Sequence, residues 1–357
     1  MTTVNLLCTY YLHGLDGSQE DFQRIKAKVQ ETFNTVFNKS KENSNVFNLN
    51  YGHCSEKNSH KKSREEFQVL VETSFKELNM FLEETVLDKF KTDNEKEINF
   101  ENVQQYNLYF SIVGHSLGGL ISRGVIKAIF SKFEKDNIQY ENYFEYLKQK
   151  YTFLNNIKPC SFIALSSPHL GTVTGNELGD ISARIMKFCS SFFCKHLSGK
   201  IGKTFIYKDG KDNEKPVLIK LCEKEYTNTY AKFPNRTLVA CIRHDIPVKF
   251  SSAMASLDMP LYEYKKNHLL IDNDTSDTKI LSYSGYEGET LNYYQKEILN
   301  EKVSKDMFYV NTLNLQPPNI DQQIKDGLEK LKNKKIKNLT TENYGMGKKN
   351  IITLKHK

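Results

Sequence analysis

Residues 108–130 read LYFSIVGHSLGGLISRGVIKAIF. An apolar run enters a turn in which Gly114 and Gly118 flank Ser116, and apolar residues at helical spacing leave it. A chain that changes from strand to helix period across one serine needs a sharp, strained turn there. Side chains two residues either side of the serine would collide, so glycine is required at both places. A strand feeding a helix in this way predicts a βαβ unit and hence a mostly parallel sheet.

The rest of the chain repeats that order. VNLLCTYYL, 4–12, is a strand candidate that runs into the loop HGLDGS, and Phe22, Ile25, Val29 and Phe33 then fall at helical spacing. NVFNLN, 45–50, is a second strand, and the segment 63–86 starts with a capping box from Ser63 and Glu66 and continues as an amphipathic helix. CSFIALSSPHLG, 160–171, and NRTLVACIRHDIPV, 235–248, each run from strand to loop. The expected fold class is α/β, a mostly parallel central sheet with helices on both faces. With 357 residues, 39% of them hydrophobic, the chain can bury one large core, and 1–357 is expected to be a single domain. The alternation lapses between 172 and 233. There Ile181, Ile185, Phe188, Phe192 and Phe193 read either as a cap-like insertion over a site or as an ordinary helix packed on the core.

Charge and cysteine usage narrow the classes. A net charge of +7, from 50 basic and 43 acidic residues scattered together, gives no basic face for nucleic acid. The densest basic stretch, LEKLKNKKIKNL at 328–339, reads as a solvated helix face that could also touch anionic lipid. Seven cysteines with no CxxC argue against a disulfide framework and against a zinc site, so a reducing, cytoplasmic setting is expected. The first apolar run lacks a basic leader, so no signal peptide is expected. No stretch reaches the roughly 18 apolar residues of a bilayer span, which leaves peripheral contact with membranes or lipid droplets.

Five blocks, HGLDGSQEDF, VGHSLGGLISR, FIALSSPHLGT, SGKIGKTFIYKDGKDNEKPVLIKLC and RTLVACIRHDIPVKFSSAM, together resemble the lipase-like serine esterase family of α/β-hydrolases from about residue 5 to residue 257. The resemblance implies an α/β-hydrolase fold and cleavage of an acyl ester, with a lipid as the expected substrate and no metal or organic cofactor. It implies Ser116 as nucleophile and the backbone N–H groups of Leu15 and Leu117 as oxyanion donors. His13 and Gly14 would form the loop that carries Leu15, with His13 bracing it. Chain order in this fold is serine, acid, histidine. Asp245, at the end of a strand candidate and in a loop like the family's D-x-x-V-P but one position shorter, is the expected acid. Its other reading is a cap for the segment SSAMASL, with Asp258 as the fallback acid.

Of nine histidines, only His268 and His356 follow Asp245. His356 lies beyond TLNLQPPNID, 312–321, which resembles the family's apolar block before the catalytic histidine; His268 lies closer to Asp245. Both stay open as the base, and if neither serves, the chain is a degenerate hydrolase that binds lipid or a protein partner. His115 is expected to be explained by packing and hydrogen bonding. His169, at a strand end on the side of Ser116, is expected to line the pocket or orient a loop.

Overall fold

The computed structural model describes residues 2–38, 46–90, 103–172, 198–210, 214–241, 248, 250–253, 255, 279–283 and 307–313. Strand β1 (Thr2–Leu12) leads through a 3₁₀ turn, Gln19–Phe22, into helix α1 (Gln23–Asn38) and strand β2 (Val46–Cys54). Helix α2 (Phe67–Met80) runs on as wider π turns over Phe81–Asp88. Strand β3 (Val103–His115) feeds α3 (Leu117–Phe130), and a small hairpin, β4 (Phe133–Lys135) with β5 (Ile138–Tyr140), precedes α4 (Tyr143–Lys150) and β6 (Asn156–Leu165). The hairpin turns on Asp136 and Asn137, both left-handed, as a two-residue connection matching strand twist requires. Short helices α5 (Gly202–Phe205), α6 (Val217–Lys220) and α7 (Lys224–Tyr230) precede β7 (Asn235–Cys241), followed by α8 (Phe250–Ala253), β8 (Lys279–Tyr283) and β9 (Met307–Leu313).

Among the described residues the main sheet has seven strands in the order β2-β1-β3-β6-β7-β9-β8. The five strands from β2 to β7 are mutually parallel; β9 runs antiparallel to β7 and carries β8 parallel to itself. The mostly parallel sheet follows from the alternation of strands and helices in the chain.

One face of the sheet holds the core. Leu6, Tyr10, Leu108, Phe110, Ile112, Phe162 and Leu238 are buried there against apolar residues of α2, α3, α4 and α7. Helix α3 crosses α2 closely, for a Cβ on Gly124 would stand 2.4 Å from Val71 Cγ2. The other face carries α1 and a smaller cluster of Tyr11, Phe22, Cys54 and Val113. Of the expected apolar stripe on α1, Phe22 is buried, but Ile25 and Val29 remain 39% and 38% exposed. The helix stands off the sheet here, leaving a cavity of about 410 Å³ lined by Leu7, Thr9, Phe33, Val36 and Tyr109 among others.

The segment expected as a cap is described at 198–210 and 214–233. Ile201, Phe205, Leu218, Leu221, Tyr230 and Phe233 from these stretches are buried in the main core. The apolar run from Ile181 to Phe193 lies outside the described residues.

Candidate active site

Ser116 sits at the junction of β3 and α3 with φ 52° and ψ −121°, in the left-handed half of the map that a non-glycine residue enters only when its surroundings hold it there. The neighbours that hold it are identifiable. Its N–H donates to Leu165 O at 2.8 Å, hanging the turn on the end of β6, and Gly119 N–H donates to Ser116 O at 3.1 Å. A Cβ on Gly118 would lie 2.0 Å from Leu12 O, and one on Gly114 would lie 2.4 Å from Gly119 N. The two glycines are therefore fixed by backbone crowding, the collision expected of the turn. Ser116 itself is half-buried, while Leu117 and Gly118 beside it are buried.

The loop after β1 lies against the serine. A Cβ on Gly14 would come within 3.0 Å of Ser116 Cβ and 3.3 Å of His115 Nδ1. His13 is 4% exposed; its Nδ1 lies 2.9 Å from Gly14 O and its Nε2 3.1 Å from Ser59 Oγ. A carbonyl can only accept, so Nδ1 donates to Gly14 O, and in the neutral ring Nε2 accepts from the Ser59 hydroxyl. Gly17 N–H closes the loop on Gly14 O at 3.2 Å. Among the described residues no acceptor takes the N–H of Leu15 or of Leu117, so two donors flank the turn uncommitted.

A second loop, 55–64, wraps the first. Ser63 Oγ accepts from Asp16 N–H at 2.7 Å, and Arg64 donates to both Asp16 carboxylate oxygens, each at 2.7 Å. Arg64 in this way holds the Asp16 carboxyl below its ordinary range. Ser63 was expected to open a capping box with Glu66. In the fold Glu66 takes the N-cap place of α2, and Ser63 sits in a 3₁₀ turn, His60–Arg64, with its hydroxyl committed to Asp16 and to His60 O. No motif in the sequence marks 55–64; the serines gain meaning only from the packing of two loops separated by some forty residues.

The remaining candidates divide. His115 is exposed. His169 is 1% exposed, and neither ring nitrogen has a hydrogen-bond partner among the described residues. Burial, helped by the nearby Arg123 guanidinium, pushes its pKa down to about 3, so the ring stays neutral and out of contact with solvent. Nearby, Ser252 Oγ accepts from Leu170 N–H at 3.1 Å and donates to Gly171 O, which ties α8 to the loop after β6. The parallel strands β1, β3, β6 and β7 all end at the edge where Ser116 stands. The chain leaves β7 at that edge, and Asp245, Asp258, His268 and His356 lie outside the described residues. Because β8 and β9 run against β7, β8 begins at the edge where Ser116 stands, whereas β9 ends at the opposite edge.

Among the described residues no cluster of His, Cys, Asp and Glu could hold a metal ion, and no helix is long and apolar enough to cross a membrane. Among solved structures the chain is similar to a lipase-esterase related protein from Clostridium acetobutylicum, at 12% identity over 92% of this chain and 93% of that one, with a TM-score of 0.23. It is also similar to the peroxisomal alpha-beta-hydrolase Lpx1 from Saccharomyces cerevisiae, at 7% identity over 99% and 80%, with a TM-score of 0.22. No curated protein matches it. The family model described as "Putative serine esterase (DUF676)" matches residues 8–257, which include the end of β1, the loop after it, Ser116 and the loop after β6. The chain belongs to this serine esterase family.

Proposed function

We propose that the chain is a serine carboxylester hydrolase that cleaves an acyl ester, with lipid esters as the substrate class. The observation that carries this reading is the backbone of Ser116, held at φ 52° between β3 and α3, with the N–H groups of Leu15 and Leu117 beside it and no acceptor for either among the described residues. Strain of this kind is maintained where it presents a reactive group. Ser116 Oγ attacks the carbonyl carbon, and a histidine takes the hydroxyl proton as the bond forms. Leu15 and Leu117 N–H stabilise the negative charge that develops on the carbonyl oxygen. The C–O bond then breaks, the histidine returns its proton to the departing alcohol, and water releases the acyl group from Ser116 by the same steps.

Asp245 orients the imidazole in this scheme, and His268 or His356 supplies it. His169 is not the base, since a ring that is buried and stays neutral down to about pH 3 can neither reach a substrate proton nor carry one at working pH. Preference for a lipid rests on the family, and peripheral contact with a membrane goes with it.

A fluorophosphonate probe tests the reading. The wild-type chain should be labelled, and Ser116→Ala should abolish labelling without lowering the unfolding temperature. Loss of labelling in His268→Ala but not in His356→Ala, or the reverse, identifies the base. A folded wild type that takes no label is instead a degenerate hydrolase fold that binds its ligand without turnover.

A further inference from the structure

We propose that residues 55–64 are the positioning element of the oxyanion loop, with Ser63 and Arg64 as positioning residues that fix Asp16 and so aim the Leu15 N–H. This deepens the esterase reading and rests on it. Leu15 lies in a loop with no regular structure of its own, so its N–H direction must be set from outside. The contacts that set it lie on both sides of Leu15. Before it, Ser59 Oγ bonds His13 Nε2 at 3.1 Å. After it, Ser63 Oγ accepts from Asp16 N–H, the Arg64 guanidinium grips the Asp16 carboxylate in a two-point bond, and His60 N–H donates to Gly17 O at 2.8 Å. Asp16 stands at φ 57°, a left-handed conformation that aspartate adopts more readily than most residues.

A positioning element must itself be fixed, and this one is pinned at both ends. At the first end the buried carboxylate of Glu77 accepts from Ser55 Oγ at 3.0 Å, Glu56 N–H at 2.7 Å and Lys57 N–H at 3.2 Å, while Ser55 N–H donates to Tyr11 O at 2.8 Å. At the other end Arg64 O accepts from Lys200 N–H at 2.8 Å and Ile201 N–H at 3.3 Å. Gly199 approaches Arg64 so closely that a Cβ there would lie 2.6 Å from Arg64 Cβ. Arg64 thus has its backbone held from 199–201 while its side chain reaches Asp16, two residues from the serine-facing Gly14. A mere stability role for this network predicts a loss of melting temperature with the chemistry untouched; a positioning role predicts the opposite.

The test uses the full chain and p-nitrophenyl butyrate, with a trifluoromethyl ketone as the probe of the oxyanion site, because its adduct with serine carries the charged oxygen. Ser63→Ala and Arg64→Gln should each lower kcat about tenfold, a fraction of what removing an oxyanion donor outright costs, with KM changed by less than about twofold. Affinity for the ketone should fall in step with kcat. Arg64→Lys should recover only part of the loss, since an ammonium cannot make the two-point bond. Should Arg64→Gln fail to fold, Ser63→Ala, which deletes one hydroxyl, carries the test. An inactive, unlabelled wild type overturns the esterase reading and this proposal together. An active wild type whose folded variants keep kcat and ketone affinity, or change only KM, overturns this proposal alone.

Discussion

Glu77 makes the arrangement of loops around Ser116 sensitive to pH. It is 4% exposed, and Tyr10 OH, His53 Nε2, Ser55 Oγ and two backbone N–H groups converge on its carboxylate. Burial alone raises a carboxyl pKa; here the bonds from His53, Glu56, Ser55 and Lys57 outweigh it, and the folded-state value lies below the ordinary one. A carboxylate with a depressed pKa contributes stability that is complete above the unfolded-state value, about 4.3, and is lost as pH falls through the folded one. Urea unfolding should therefore show stability falling below about pH 4.3. Glu77→Gln should cost about 2 kcal/mol at pH 7, the worth of hydrogen bonds to a buried charge, and should flatten that acid limb. An acid limb equally steep in the variant would show that another carboxylate governs it.

Helices α3 and α1 were read from the sequence by the same apolar spacing, yet they lie in different environments. Along α3, Leu117, Leu120, Ile121, Val125, Ile126 and Ile129 are all buried, and Gly124 lets α2 approach. Along α1, Val36 is 56% exposed beside the cavity that separates the helix from the sheet. Ile126→Ala should lower stability by about 2–4 kcal/mol, from lost transfer energy and the void left behind, whereas Val36→Ala should change it by less than about 0.5 kcal/mol. Chemical denaturation of the two variants decides it; similar losses would mean that α1 packs as tightly as α3. Periodicity announces that a face is apolar, not how closely another surface meets it. For this reason β1, β3 and the Ser116 turn were legible in the sequence, since Gly114 and Gly118 report a local collision. The second wall of the site was not, because Ser63 reaches Asp16 across 47 residues of chain.

The sheet divides its work between its two ends. The strand ends that carry residues 13–17, Ser116 and 166–170 hold left-handed, non-glycine backbone at Asp16, Ser116 and Ser166, so this edge stores strain. Toward the opposite edge, four parallel strands place Asn48, Asn5, Asn107 and Asn156 in register. Their amides form one ladder. Asn5 Nδ2 donates to Asn48 Oδ1 at 2.9 Å, Asn107 Nδ2 to Asn5 Oδ1 at 3.1 Å, and Asn156 Nδ2 to Asn107 Oδ1 at 2.9 Å. Stacked amides of this kind lock parallel strands in one register. The abundance of asparagine in the sequence gives no hint of it, because the ladder exists only once the register is set. Asn107→Leu removes two rungs and takes the donor from Asn5 Oδ1, which should cost about 2 kcal/mol. In Asn5→Leu with Asn107→Leu the shared bond is already gone, so the double variant should cost less than the sum by about 1 kcal/mol. Nine residues of strand, about 30 Å, separate Asn107 from Ser116. At 25 °C the folded fraction should therefore take a fluorophosphonate label at the wild-type rate, even as the unfolding midpoint falls. A labelling rate that drops with the midpoint would mean that the register set at one edge controls the geometry of the serine at the other, and the two ends of the sheet would not be separable.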